Sequence, residues 1–166
     1  MKTLEKLYEV IKEQGMFEGF EECESCIVRC SRKQNIHWLL PEETIRLRGF
    51  MGAKKISGAY FFNGGLCSLL AEKGCGIYLT RPLECRLNPL SIYEIDSELY
   101  WILYTECPVV KNKGTKRFIE RLKPGIERVS PFITPELREE FTKISKAIKS
   151  FDPLVEGRDF IKVGKL

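Results

Sequence analysis

CRLNPLSIYEIDSELYWILYTEC, residues 85–107, is the stretch on which the fold turns. Residues 91–95 and 99–105 are dense in Ile, Tyr, Trp and Leu, side chains that suit a pleated, half-buried surface, and Asp96-Ser97-Glu98 between them is turn chemistry. An antiparallel hairpin is expected. Cys85 precedes its first strand and Cys107 follows its second, so the hairpin returns both cysteines to one end.

Working outward, Ala59-Tyr-Phe-Phe62 reads as a strand ending at Asn63-Gly64-Gly65, a turn signal that places Cys67 just beyond a hairpin turn. Leu4, Leu7, Tyr8 and Ile11 recur at helical spacing over residues 3–14, with Gly15 as C-cap. A second helix starts near Pro41 and runs through Glu42, Glu43, Ile45 and Leu47 towards Gly49, carrying no evident chemistry. Downstream, Thr134 and Pro135 form an N-cap and first-turn proline, and Leu137, Phe141, Ile144, Ile148 and Phe151 continue as one apolar stripe. Residues 152–166 have no clear period and read as an extended arm. The expected architecture is α+β: a small single domain over 1–166, its terminal helices packed around short β-hairpins with a cysteine-rich metal site in the loops. Residues 23–107 are its cysteine-cluster core and 111–151 its C-terminal helical part.

With 166 residues, 43% hydrophobic and 30% charged, the chain can bury a core without disulfide staples. Its first fifteen residues carry charge every few positions, and its apolar runs fall short of the ~20 residues that span a bilayer, so neither a signal nor a membrane anchor is expected. A reducing, cytoplasmic setting follows, in which clustered cysteines bind metal rather than pair. Net charge is +4. Lys111, Lys113, Lys116, Arg117, Arg121, Lys123 and Arg128 form a basic stretch, but Glu120 and Glu127 interrupt it and no nucleic-acid module accompanies it, so it reads as a solvated helix face.

The chemistry lies in seven cysteines: Cys23, Cys26, Cys30, Cys67, Cys75, Cys85 and Cys107. An odd number cannot all pair within one chain. The two-residue spacing of Cys23 and Cys26 lets a tight turn aim two sulfurs at one ion, and Cys30 supplies a third. A thioredoxin-type redox pair is the rival for Cys23 and Cys26, yet no strand-to-helix pattern precedes them.

A second constellation comprises Cys67-Ser-Leu-Leu, Gly74-Cys75-Gly76-Ile77-Tyr78 and Arg81-Pro82-Leu83-Glu84-Cys85-Arg86-Leu87-Asn88-Pro89. Over residues 23–90 the chain resembles the zinc- or iron-chelating cysteine-cluster family, the YkgJ-like CxxCxxCC proteins. The block from Cys75 to Arg86 is the most specific part of the likeness. The family motif implies cysteines at both 29 and 30, and Arg29 stands at the first. Cys107 lies outside the strongest block and is either an added ligand or a core thiol. His37, the only histidine, stands seven residues past Cys30 and reads as a partly buried, satisfied side chain rather than a ligand.

Seven thiolates suit two tetrahedral zinc ions sharing one sulfur, or a four-cysteine site beside a three-cysteine site with an open position; a [4Fe–4S] cluster needs four. Arg81 and Arg86 flank Cys85. They either pair with carboxylates such as Glu84 or Glu94, or bind the cofactor by offsetting thiolate charge and hydrogen-bonding to sulfur. Pro82 would hold the turn presenting Cys85. The expected partner is a metal ion or cluster, with a partner protein left open and no nucleic acid or membrane. The main reading is a non-enzymatic chelator of zinc or iron. The alternative comes from the resemblance, which extends to flagellin lysine N-methylases and implies methyl transfer from S-adenosylmethionine; Gly64-Gly65 is too little glycine-rich loop to support it.

Overall fold

The computed structural model describes residues 2–13, 36–48, 53–63, 70–71, 74–75, 77 and 80–166. In chain order its elements are α1 (Lys2–Glu13), β1 (Ile36–Leu39), α2 (Pro41–Arg46), β2 (Ala53–Ile56), β3 (Ala59–Asn63), β4 (Leu70–Ala71), β5 (Gly74–Cys75), α3 (Leu83–Leu87), β6 (Leu90–Ile95), β7 (Glu98–Tyr104), α4 (Pro108–Lys113), α5 (Thr115–Val129), a 3₁₀ turn (Ser130–Phe132), α6 (Pro135–Phe151) and β8 (Phe160–Lys165). The architecture is α+β.

The central hairpin forms where the sequence places it. Leu90 pairs with Leu103 and Ile95 with Glu98, closed by a two-residue turn in which Asp96 and Ser97 have φ of 50° and 65°. Positive φ at both positions is the turn whose twist matches paired strands. The C-terminal arm is a strand: β8 pairs antiparallel with β7, giving the sheet order β6-β7-β8. A second sheet has the order β1-β3-β2, and β4 and β5 form a third, two-stranded one. The hairpin partner of β3 is therefore β2, which precedes it, through a turn at Ser57 and Gly58 that also has positive φ. The turn expected at Asn63-Gly64-Gly65 lies outside the described residues beyond Asn63.

Helix α6 packs on both larger sheets, against β6 and β3. Its fully buried Phe141 meets Trp38 of β1 edge to face, ring centroids 5.6 Å apart. The N-cap is as expected, with the Thr134 hydroxyl accepting the Leu137 N–H at 3.5 Å. Two serines tie helices to the central sheet. Ser145 accepts the Glu94 N–H at 2.9 Å, and Ser130 accepts from the Trp101 indole at 2.9 Å. Helix α5 buries Phe118, Leu122, Ile126 and Val129 at helical spacing and leaves Lys116, Arg117, Arg121, Lys123 and Arg128 exposed, so the basic stretch is a solvated helix face. Among the described residues no helix is long and apolar enough to cross a membrane.

Helix α2 starts at Pro41 as expected and buries a carboxylate. Ile45 is 72% exposed, whereas Glu43 is 0% exposed. The opening helix behaves as read, with Leu4, Leu7, Tyr8 and Ile11 all buried in the main apolar cluster.

Candidate metal centre

Cys85 sits in α3, a helix of five residues. So short a helix has too few internal hydrogen bonds to hold itself, and its orientation is set from outside. Leu83 and Leu87 are buried in the main core and fix one face. Pro82 is the N-cap residue, extended at φ −65° and ψ 164°, and its carbonyl accepts the Arg86 N–H at 3.0 Å, which matches the turn-holding role expected of it.

Two buried carboxylates complete the anchoring. Glu84 of α3 reaches His37 of β1, Nδ1 to Oε2 at 3.4 Å, and accepts the Trp38 backbone N–H. Burial pushes the Glu84 carboxyl above its ordinary value, against the pull of His37. Burial alone would lower the His37 pKa; the Glu84 charge beside it outweighs this and leaves it raised. The His37 ring stacks on Phe62 with centroids 4.8 Å apart. His37 is thus buried against a carboxylate at ion-pair distance rather than through a formed hydrogen bond, so the burial expected of it is found and the satisfied ring nitrogen is not.

The second carboxylate is Glu43. It accepts the Tyr8 hydroxyl, the Leu40 N–H at 2.9 Å and the Leu83 N–H at 2.6 Å, so α1, α2 and α3 meet on it. Arg46 lies 3.8 Å away and also donates to the Tyr8 oxygen at 3.0 Å. Burial raises the Glu43 carboxyl, opposed by these donors. For Tyr8, burial and the adjacent carboxylate both push the phenol far up, so it stays protonated. Neither Tyr8 nor Glu43 stands out in the sequence as a site residue. One signal was available: Glu43 is three residues after the N-cap Leu40, the position from which a side chain reaches back to the N-cap amide.

Arg86 is half-buried. Its Nε donates to the Arg81 carbonyl at 2.8 Å and its guanidinium lies over the Tyr8 ring, 4.3 Å from the centroid. Of the carboxylates named for Arg81 and Arg86, Glu84 lies against His37 and Glu94 lies 3.6 Å from Lys149.

Cys107 is buried at the N-cap of α4 within the main apolar cluster, and its carbonyl accepts the Lys111 N–H at 3.0 Å. Cys85 and Cys107 flank the open end of the central hairpin, where the Tyr104 N–H donates to the Pro89 carbonyl at 3.0 Å. Cys75 belongs to β5, its backbone paired with Leu70. Cys23, Cys26, Cys30 and Cys67 lie outside the described residues. Among the described residues no three His, Cys, Asp or Glu side chains converge on a metal position.

Comparison with known families decides the class. The model of the CxxCxxCC family, a putative zinc- or iron-chelating domain, matches residues 22–118, more than half of the chain and all seven cysteines. The chain belongs to that family. Within this CxxCxxCC domain, the match runs on from Cys85 through β6, β7, Cys107 and α4 and into α5, so the hairpin and its flanking helices are part of the family unit. No curated protein and no solved structure matches the chain.

Proposed function

We propose that this CxxCxxCC protein chelates zinc or iron through Cys23, Cys26, Cys30, Cys67, Cys75 and Cys85, with Cys107 as the seventh thiol. The observation that carries the reading is the family match, which takes in every cysteine of the chain. The donor chemistry fits: thiolates are the soft ligands that both zinc and iron–sulfur clusters use. Helix α3 supports the reading as a rigidly anchored platform for one of them. Residues 23–107 form the chelating core and 111–151 the helical part packed against it. Seven thiolates allow two zinc ions sharing one sulfur, or one [4Fe–4S] cluster with thiols to spare. The protein acts where thiols stay reduced, and metal capture contributes to its folding.

Protein purified without oxygen and analysed for zinc, iron and sulfide tests this. About two zinc ions per chain in a colourless protein would select the zinc arrangement. About four irons with equal sulfide and a brown colour would select the cluster. Metal-free protein that is fully folded, or a Cys23→Ser/Cys26→Ser variant with undiminished metal, would defeat the proposal.

A further inference from the structure

Cys85 is bracketed in the chain by two contacts to one buried network. Two residues before it, the Leu83 N–H donates to Glu43 at 2.6 Å; one residue after it, the Arg86 guanidinium covers the ring of Tyr8, whose hydroxyl donates to the same Glu43. The carboxylate reaches across the fold to do this, from α2 to an amide forty positions along the chain. A carboxylate with no solvent exposure is costly, and a well-packed apolar residue of similar volume stabilises a core as well or better. What such a residue lacks is the ability to accept three directed hydrogen bonds at once. The bond to the Leu83 amide fixes where α3 starts, the bonds from Tyr8 and Leu40 hold the carboxylate in place to accept it, and Cys85 lies in the first turn of α3. Metal sites tolerate ligand displacements of only about 0.2 Å.

We propose that Glu43, held by Tyr8, is the positioning residue that presents Cys85 to the metal, through its hydrogen bond to the Leu83 amide. Glu43 touches no metal itself. This rests on Cys85 being a ligand, as proposed above.

The test is zinc(II) affinity, measured on the full chain by competition with a chromophoric chelator, for wild type, Glu43→Gln, Cys85→Ser and the double variant. Glutamine keeps the volume but offers only one acceptor oxygen to the Leu40 and Leu83 amides. Glu43→Gln weakens zinc about 10–100-fold, the usual effect of losing an outer-shell support. The double variant binds no more weakly than Cys85→Ser alone, because Glu43 acts through that thiol. With cobalt(II) in place of zinc, Glu43→Gln loses thiolate charge-transfer intensity. Wild-type affinity in Glu43→Gln overturns the inference, as does a double variant weakened by the product of the two single factors, which would mean that Glu43 supports only the fold. If Glu43→Gln does not fold, Tyr8→Phe replaces it; it keeps the ring beneath Arg86, removes one bond to the carboxylate, and weakens zinc several-fold, whereas unchanged affinity refutes the role. Wild type that binds neither zinc nor iron removes the chelation reading and this inference together. Wild type that binds, with Cys85→Ser equal to it, removes this inference alone.

Discussion

Replacing Ser145 with alanine isolates one bond that joins helix to sheet. Ile95 and Glu98 close the β6–β7 turn, so the Glu94 N–H, one residue earlier, points away from β7. Among the described residues β6 is an edge strand paired with β7 alone, and that N–H is taken by Ser145 Oγ at 2.9 Å, while the hydroxyl donates to the Phe141 carbonyl at 2.7 Å. Ser145 is fully buried. Alanine would orphan a buried N–H, costing about 1–3 kcal/mol. The Phe141 carbonyl keeps its helical partner, and the methyl group recovers about 0.5 kcal/mol of transfer energy. A net loss of about 1–2 kcal/mol remains, a fall of roughly 3–6 °C in Tm for a chain of this size. Ser150→Ala is the control, because Ser150 lies on the same helix and donates to a carbonyl at 2.6 Å but is exposed. Urea unfolding followed by circular dichroism measures both. A Ser145→Ala loss within about 0.5 kcal/mol of the Ser150→Ala value would refute the claim that this hydroxyl satisfies the strand edge.

Three further outcomes follow from single contacts. Ser97→Gly relieves the left-handed backbone at φ 65° and raises stability by about 0.5–1 kcal/mol net of the entropy glycine adds to the unfolded chain, read as a higher urea midpoint at constant slope; no gain would mean Ser97 is unstrained. His37→Ala leaves Glu84 buried without its partner and costs about 3–5 kcal/mol, seen as a large drop in thermal midpoint; a loss below about 1 kcal/mol would show the pair to be dispensable. The Asp159 carboxyl is held below its ordinary value by hydrogen bonds from Arg158, so its contribution is present above pH 3.8 and disappears as pH falls through the lowered folded value; Asp159→Asn is less stable at neutral pH but converges with wild type in acid, and a constant gap across that range would contradict the assignment.

The elements legible in the sequence are those whose causes are local. The central hairpin carries its own turn, α1 and α6 carry their own apolar stripes and, in α6, an N-cap, and each forms as its residues dictate. β8 is different: Phe160–Lys165 has no internal signal, and it is a strand because β7 offers it an open edge. β1 likewise exists by pairing with β3, which leaves His37 facing Glu84 where the sequence gives no hint that the two meet. The cysteine pattern is legible as family membership because its spacing is itself the motif, whereas the contacts that anchor the helix of Cys85 are distant in the chain and carry no motif.

Glu43 makes the point most sharply. In the sequence, Pro41-Glu-Glu-Thr-Ile-Arg46 reads as a helix start with no evident chemistry. In the structure three donors from α1, α2 and α3 converge where Glu43 lies, and their bonds partly offset the cost of burying its carboxyl, while an isolated isoleucine stays at the surface for little penalty. A local code cannot report such an exchange, since its terms belong to residues 35 and 40 positions away. Among the contacts described, Arg86 spends its guanidinium on the Arg81 carbonyl and the Tyr8 ring, and so reinforces the Glu43 network instead of standing apart from it.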